Sequence, residues 1–366
     1  LPIMVEALRL WQGFGTRLGP DLGFRQTGVV YLAEDAAEMA QYEAWLTHAR
    51  TCAVDSRMIG AAEVAALMPE LARKVPGALY TPSDARAEPF VAVPMLAALA
   101  AEEGVILREG CAVRGLDIAA GRIAGVVTER GRIAADQVLV AGGAWSSLLL
   151  RRHGVLLPQL SVRASVAATG PLPEVFAGAV NLGGFAIRRR LDGGYSLAPG
   201  AGETLFVGPD AIRHFRWYWP QLRRTPTAVP LRPLAPSGFP DAWGTARNWS
   251  LDAPSPFESG RILDPRPDGR ALARAAAGFA AAFPALGGVR LARTWAGMID
   301  TMPDVVPAIG PVQGLPGLMV ATGMSGHGFG IGPGVGRVVG DLLAGRPAGH
   351  DLSHFDPGRF AGPVRL

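Results

Sequence analysis

The residues best suited to bind a ligand lie near the C terminus, where many glycines occur close together. An apolar segment, Leu318 to Ala321, precedes a glycine-dense sequence from Thr322 to Gly334, and the residues from Val335 to Ala344 predict a helix. Glycine has no Cβ, so such a loop lets the backbone approach a flat ligand closely. The N terminus of the following helix presents N–H groups and a partial positive charge. This combination suits a phosphate or the anionic edge of a reduced flavin.

The spacing of these glycines leaves two interpretations open. It is not G-x-G-x-x-G, because each G-x-G is followed by another residue type where the last glycine belongs. Composition alone therefore favours a tight structural turn about as much as a cofactor loop.

A second strand, glycine turn and helix occur earlier in the chain. The almost wholly apolar run from Gln137 to Ala141 predicts a buried strand of a parallel sheet. It runs into Gly142 and Gly143, and a helix is predicted from Trp145 to Arg152.

Composition and charge indicate which classes of protein this chain can belong to. A chain of 366 residues that is 49% hydrophobic and 18% charged can bury a large core and predicts about two domains. The 35 Lys and Arg residues exceed the 31 Asp and Glu residues only slightly and are scattered, which argues against nucleic-acid binding. The two cysteines, with no Cys/His cluster at metal-ligand spacing, support neither a disulfide framework nor a metal site, so we expect a cytoplasmic protein without metal.

Hydrophobic periodicity predicts mixed secondary structure. The remaining predicted helices are Pro2 to Arg17, Ala36 to Arg50, Ala61 to Met68, Val93 to Glu103 and Ala271 to Phe283. The remaining predicted extended segments are Gly28 to Ala33, Val105 to Leu107, Cys111 to Leu116, Arg122 to Thr128, Arg132 to Ala134, and a hairpin of Phe185 to Leu191 with Tyr195 to Ala198.

Two long motifs in order carry a family resemblance. Trp295 to Gly310, followed by Ala321 to Gly334 with its Ser-Gly-His-Gly-Phe core, resembles the C-terminal signature of the D-amino-acid oxidase/sarcosine oxidase superfamily of FAD enzymes, including its glycine oxidase-like members. Val138 to Ser146 is similar to that family's second flavin-domain strand and turn. The resemblance covers essentially the whole chain and is strongest from 293 to 345.

The resemblance implies an α/β (α+β) fold with two domains. One is a discontinuous, Rossmann-like FAD-binding domain, expected from 86 to 154 and from 291 to 366. The other is a mixed-sheet substrate domain, expected from 24 to 85 and from 155 to 290. Residues 1 to 23 are expected to be a helical remnant of the flavin domain.

The resemblance also implies which residues bind FAD. The loop against the isoalloxazine ring is expected to contain Gly323, Ser325, Gly326, His327, Gly328, Phe329 and Gly330, with Gly297 and Met298 close by. Val113, Gly142 and Gly143 are expected to serve the ADP half, and Ala141 and Trp145 complete the predicted cofactor-binding set.

Three residues are catalytic candidates, each with a plainer alternative. His327 is the acid–base candidate, and a purely backbone role is its alternative. Asp300 suggests a cationic substrate end near the flavin, although a turn role is common for Asp followed by Thr. Arg188 is a candidate partner for a substrate carboxylate, together with Arg163 and Arg86, and structural ion pairs are the alternative for all three.

The chain departs from the family pattern at three points. No G-x-G-x-x-G strand–helix turn is present at its start, so we expect the N-terminal dinucleotide-binding segment to be missing. Ile299 stands where glycine-oxidase-like members place a carboxylate-binding arginine. Gly297 stands where monomeric sarcosine oxidases carry the cysteine that attaches flavin, which excludes covalent attachment there.

The sequence therefore predicts an FAD-dependent oxidoreductase that oxidises the C–N bond of an amino acid or secondary amine by hydride transfer to flavin. The expected acceptor is O₂, a quinone or an electron-transfer partner, and a homo- or hetero-oligomer is possible. The alternative is a non-catalytic remnant or a subunit of a heteromeric flavin dehydrogenase. An in-frame G-x-G-x-x-G encoded upstream of Leu1 would discriminate between them.

Overall fold

The computed structural model describes residues 1–200, 203–224 and 230–361 of the chain. Helices and strands are mixed throughout these residues, which confirms the α/β fold class. Within the described residues, no helix is both long enough and apolar enough to cross a membrane.

Ten α-helices lie in the described residues. They are α1 (Pro2–Leu18), α2 (Ala36–Thr51), α3 (Ala61–Leu67), α4 (Pro89–Glu102), α5 (Ser146–Arg152), α6 (Pro209–Arg213), α7 (Phe215–Arg224), α8 (Pro256–Ser259), α9 (Gly269–Ala282) and α10 (Gly328–Leu343).

Eighteen strands accompany them in the same residues. They are β1 (Arg25–Gln26), β2 (Val29–Ala33), β3 (Arg57–Gly60), β4 (Gly77–Thr81), β5 (Ala85–Arg86), β6 (Val113–Ala119), β7 (Arg122–Thr128), β8 (Gly131–Ala134), β9 (Val138–Val140), β10 (Leu160–Thr169), β11 (Ala179–Asn181), β12 (Phe185–Arg189), β13 (Tyr195–Pro199), β14 (Thr204–Phe206), β15 (Leu231–Arg232), β16 (Leu291–Thr301), β17 (Ala308–Pro311) and β18 (Leu318–Thr322).

The chain divides into two compact units. Unit 1 contains Leu1–Leu107, Ser165–Gly202 and Arg266–Ala296. Unit 2 contains Arg108–Ala164, Glu203–Pro265 and Gly297–Leu366. The domain boundaries that the sequence suggests stay a prediction.

Unit 1 is built on a sheet in which β13, β12, β11, β2, β4 and β3 lie side by side. Only the β11–β2 pair among these is parallel. Helix α9 begins after Asp268, whose side chain accepts a hydrogen bond from the Ala271 N–H, a typical helix cap. Phe279 of α9 is fully buried and its ring lies 5.3 Å from that of Tyr195. The packing of α9 on the sheet forms the core of this unit.

Unit 2 contains two three-stranded sheets. Strands β6, β7 and β8 form an antiparallel meander. In the second sheet β18 lies between β17, which is antiparallel to it, and β9, which is parallel. The parallel pairing predicted for Gln137 to Ala141 is thus confirmed. Val140 and Val320, which pair with each other, are buried in a common core.

The predicted start of the last helix is wrong. Helix α10 begins at Gly328, two turns before Val335, and contains six glycines. Each glycine costs a helix about 1 kcal/mol relative to alanine, which is why local propensity favours a loop. Ile331, Val335 and Val338 are buried along one helix face, and this burial compensates for the poor propensity.

Two other boundaries also differ. Helix α4 begins at Pro89 instead of Val93, because proline fits the first turn of a helix, where its missing N–H is not needed. The expected strand from Val105 to Leu107 does not form, and Ile106 is 77% exposed, so no burial drives its pairing.

Candidate functional site

The parallel strands β9 and β18 bring two glycine turns together in unit 2. Val140 pairs with Val320 near the carboxyl ends of the two strands. The first strand continues into Ala141, Gly142 and Gly143, and the second into the loop from Gly323 to His327. In open α/β sheets, ligands bind outside the carboxyl ends of parallel strands. This edge is the candidate functional site.

A buried hydroxyl connects the two turns. Thr322, the last residue of β18, is 1% exposed. Its Oγ1 lies 3.0 Å from Ser146 Oγ, 3.1 Å from Asp300 Oδ2, 3.3 Å from the Gly143 carbonyl oxygen and 3.4 Å from Gln159 Oε1. A hydroxyl has one proton to donate, so these groups form a network in which several donors and acceptors are shared. The network holds the end of β18 against the turn after β9.

Asp300, at the end of β16, anchors the second turn. Its Oδ2 accepts a hydrogen bond from the Gly323 N–H at 2.6 Å, and its carbonyl oxygen accepts one from the Ser325 N–H at 2.9 Å. Burial raises the pKa of the Asp300 carboxyl, and the hydrogen bonds from Gly323 and Thr322 oppose that rise. These contacts are those of a positioning residue.

The loop after β18 has an unusual backbone. Gly323, Ser325 and Gly326 have φ values of 74°, 50° and 88°, a left-handed region that residues with a Cβ rarely adopt. Ser325 Oγ accepts a hydrogen bond from the Met302 N–H at 3.2 Å and donates one to the Gly323 carbonyl at 3.1 Å. A Cβ at Gly323 would overlap the side chain of the buried Met302. Glycine is therefore required at 323 on both grounds.

The turn after β9 is fixed from the other side. Gln159 Nε2 donates a hydrogen bond to the Gly143 carbonyl at 2.7 Å. Gly143 has a φ of 53°, and an added Cβ there would meet no atom of the described residues within 4 Å. The same holds for Gly297 and Gly330. Open space beside backbone is what a flat ligand needs.

His327 is the residue that precedes α10. Its N–H donates to the Met324 carbonyl at 2.9 Å, and its carbonyl accepts from the Ile331 N–H at 3.2 Å, so its backbone shapes the helix start. Its side chain is exposed, as is Gly326 beside it. Gly328, Phe329 and Gly330, predicted as loop residues, instead form the first turn of α10.

Four other predicted cofactor residues also lie in unit 2, and one of them, Trp145, belongs to the turn after β9, where its backbone N–H donates to the Gly142 carbonyl at 3.1 Å. Val113 begins β6 and pairs with Thr128. Trp145 donates from its indole N–H to the Gly260 carbonyl at 3.2 Å, so its side chain is part of the local packing. Gly297 lies within β16, and next to it Met298 packs against a cluster around Phe206.

Arg188 lies in unit 1, on β12. Its guanidinium donates to the Ala87 carbonyl and, at 3.1 Å, to Ser196 Oγ, and lies 3.4 Å from both oxygens of Glu88. Arg86 also lies beside Glu88, at 3.8 Å, and donates from Nε to the Ala177 carbonyl at 3.1 Å. Two guanidinium groups therefore share one carboxylate.

Arg86 is the more deeply buried of the two arginines. Its side chain is 9% exposed, and its Nη1 has no hydrogen-bond partner among the described residues. Burial lowers the pKa of Arg86; Glu88 opposes this and the positive charge of Arg188 adds to it. The third arginine considered from the sequence, Arg163, lies in unit 2 and donates to Thr204 Oγ1 at 3.2 Å.

Sequence reasoning missed three members of the network. Thr322 ends the apolar run of β18, and its position next to the first glycine was the available signal. Ser146 is the first residue of α5, directly after the glycine turn, and this position was the available signal. Gln159 lies in an irregular segment, and no local pattern singles it out. Within the described residues, no cluster of His, Cys, Asp or Glu is suited to a metal ion.

Comparison with known proteins decides the family. A family model described as FAD dependent oxidoreductase matches residues 1–342. The chain belongs to this family. The resemblance found in the sequence motifs is thereby confirmed, and with it FAD as the cofactor of the family.

The curated relatives with similar sequences include proteins named for D-amino acids and for dimethylglycine. The chain is 29% identical to D-amino acid dehydrogenase of Sinorhizobium medicae over 78% of this chain and 56% of that protein. It is 27% identical to mitochondrial dimethylglycine dehydrogenase of Mus musculus over 98% of this chain and 37% of that protein. The chain thus spans about half the length, or less, of these curated relatives.

A solved structure extends the similarity to the fold. L-amino acid deaminase from Proteus myxofaciens, solved in complex with anthranilate, superposes with a TM-score of 0.91 at 27% identity. The match covers 98% of this chain and 81% of that one. This chain and that L-amino acid deaminase therefore share a fold.

Proposed function

We propose that this chain acts in the FAD-dependent oxidation of the C–N bond of an amino acid or a secondary amine, by hydride transfer to flavin. The observation that carries the proposal is the hydrogen-bonded edge at the ends of β9 and β18, in a member of an FAD-dependent family. FAD, when bound, supplies the hydride acceptor. The predicted electron acceptor remains O₂, a quinone or an electron-transfer partner.

The chain's own residues suit a flat, anionic cofactor at this edge. Thr322 and Asp300 fix the backbone of the loop after β18, and Gln159 fixes the turn after β9. The start of α10 adds the partial positive charge of a helix N terminus. We assign Gly323, Ser325 and Gly326, with Gly142 and Gly143, to backbone contacts with FAD.

The substrate class follows from a shared chemical feature. D-amino acids, L-amino acids and dimethylglycine, for which the compared proteins are named, all carry a carboxylate beside an amine. A buried or partly buried carboxylate requires a positively charged hydrogen-bond donor. We therefore propose an amino acid substrate and look for its carboxylate partner among the arginines.

Arg188 with Arg86 is our choice of partner. Glu88 neutralises only one of the two guanidinium charges, so the cluster keeps an excess positive charge. The Arg188 contacts with Glu88 are long, at 3.4 Å, and Arg86 Nη1 has no partner among the described residues. An incoming carboxylate would pair with the Arg188 guanidinium, whose contacts with Glu88 are long, and the buried Arg86 would add its positive charge.

Steady-state kinetics of Arg188→Lys and Arg188→Leu test this assignment. We expect KM for an amino acid to rise about tenfold to hundredfold in Arg188→Leu, because a charge-assisted hydrogen bond contributes about 1.5–3 kcal/mol. Arg188→Lys should be intermediate. Turnover of an amine without a carboxylate should be unchanged by either substitution.

A matched control is Arg57→Leu, which removes an exposed arginine that pairs with Glu63 in the same unit. It should leave KM unchanged. If Arg188→Leu lowers kcat for all substrates and leaves KM unchanged, the carboxylate assignment is wrong, whereas the flavin proposal still stands.

A further inference from the structure

The short helix α7 in unit 2 exposes two aromatic side chains on one face. Phe215 and Trp219 are four residues apart, are 48% and 43% exposed, and have ring centroids 5.4 Å apart. Residues four apart lie on the same side of a helix. Exposed aromatic side chains packed against each other are unusual on a surface that contacts only water.

Two arginines complete this face. Arg223, four residues after Trp219, has its guanidinium 6.0 Å from the indole centroid, and Arg216 is exposed beside Phe215. We call Phe215, Arg216, Trp219 and Arg223 the α7 stripe. Just before it, Ile212 is 61% exposed.

The opposite face of α7 fixes the helix to the unit. Trp217 and Tyr218 are buried and pack with Leu160. The Tyr218 hydroxyl donates a hydrogen bond to the Thr301 carbonyl at 2.6 Å and accepts one from the Leu160 N–H at 3.2 Å. The stripe is therefore presented outward by a helix that is held in place.

The charged residues in the sequence segment around α7 are all positively charged. Between Ala211 and Pro240 there are five arginines and no Asp or Glu, so this segment carries more positive charge than the net +4 of the whole chain. Asp210, just before it, is 5% exposed and forms ion pairs with Arg151 and with Arg213, an arginine of this segment that is not in the stripe. Acidic groups thus do not offset the exposed arginines of the stripe within its own segment.

From these observations we propose that the α7 stripe is a docking surface for an anionic lipid bilayer. An interfacial helix buries apolar side chains at the level of the headgroups while its arginines contact anionic lipid phosphates. At ten residues, α7 is about 15 Å long, so it lies on a membrane surface and does not span it. This inference does not depend on the proposed oxidation reaction.

The mixture of side chains favours lipid over other anionic partners. A single-stranded nucleic acid could also use the aromatic rings, for base stacking, but it has no use for the exposed aliphatic side chain of Ile212, which a bilayer interface buries. A bilayer interface needs both the apolar and the cationic groups. Both contributions are therefore expected to be measurable separately.

Co-sedimentation of the full chain with lipid vesicles tests the proposal. The chain is expected to bind vesicles containing phosphatidylglycerol, to bind phosphatidylcholine vesicles much more weakly, and to be released by salt. The double variant Phe215→Ser/Trp219→Ser should bind at least about tenfold more weakly. Arg216→Gln and Arg223→Gln should each weaken binding about fivefold.

The control variant is Ile106→Ser, which removes a 77% exposed apolar side chain from unit 1 and should bind as the wild type does. Thermal unfolding of each variant checks that it folds. The proposal is overturned if the wild type does not bind phosphatidylglycerol vesicles at low salt, or if the serine double variant binds them equally well. It is also overturned if the double variant loses only self-association or DNA binding.

Discussion

Asp300 holds the backbone of the loop after β18. Its carboxyl group accepts from Gly323 and Thr322, and both of these are buried. Asp300→Ala would leave the buried Gly323 N–H without its acceptor, at a cost of about 1–3 kcal/mol, whereas the Thr322 hydroxyl could still donate to Gly143 or Gln159. We expect this variant to unfold at a lower temperature and to retain less FAD.

Asp300→Asn separates this positioning role from a role in binding a cationic substrate. The asparagine carbonyl can still accept from the Gly323 N–H, so FAD retention should be largely preserved. Amine kinetics should then be close to those of the wild type. A large rise in KM with FAD retention intact would instead favour direct binding of a positively charged substrate.

Gly323 gives the sharpest prediction about stability. Gly323→Ala introduces a Cβ at a φ of 74° and against the buried Met302 side chain. The backbone strain and the overlap together should lower the free energy of unfolding by about 2–5 kcal/mol, as measured by denaturant unfolding. Gly244→Ala, in the same unit but with open space around it, should change stability by less than about 1 kcal/mol. Equal effects of the two substitutions would refute this account.

At this scale the sequence indicates some site residues and not others. Gly142, Gly143 and Gly323 are recognisable because glycine spacing and the family motif coincide. Gln159 is brought to Gly143 only by the tertiary fold, 16 positions along the chain, so no local pattern predicts it. The partners of Arg188 are also non-local, since Glu88 lies 100 positions away.

Among the elements, α10 shows why glycine content misleads. The glycines favour a loop by propensity, but Ile331, Val335 and Val338 recur at helical spacing and are buried. The apolar spacing was visible in the sequence and predicts the helix better than composition does. For short exposed segments such as Val105 to Leu107, apolar character alone predicts a strand wrongly.

The junction between α6 and α7 predicts a dependence of stability on pH. His214 is 1% exposed, and neither of its ring nitrogens has a hydrogen-bond partner in the described residues. Burial lowers the pKa of His214 to about 4, opposed by Asp210 and assisted by Arg151. Because the folded-state pKa lies below the usual 6.5, the unfolded chain binds the proton more tightly, and stability is lost as the pH falls from about 6.5 towards 4.

His214→Phe removes this titrating group and fills the site with an apolar ring. The variant should unfold at the same or a higher temperature than the wild type at pH 7.5, and the difference should widen at pH 5. Comparing the two proteins cancels the contribution of nearby Asp241, whose pKa burial raises to about 6. His48→Phe, at an exposed position of α2, is the control. A difference that stays constant with pH would show that His214 does not titrate as described.

For the whole molecule, the family motifs predicted more than the composition did. Composition indicates that the chain can bury a large core, and it disfavours nucleic-acid binding. The ordered motifs near the C terminus predict the α/β fold, the family and FAD as the cofactor. The division into units depends on contacts between distant segments, such as the pairing of β11 with β2. Such contacts are not encoded in any single window of the sequence.

The central claim is that the strand-end edge of unit 2 holds FAD for the oxidation of an amino acid. Its most direct test is the visible absorption spectrum of the chain after incubation with FAD and desalting, recorded without oxygen before and after addition of amino acids. We predict flavin bands at about one FAD per chain that fade with at least one D-, L- or N-methyl amino acid. A colourless protein, or bands that persist with all of them, would contradict the account.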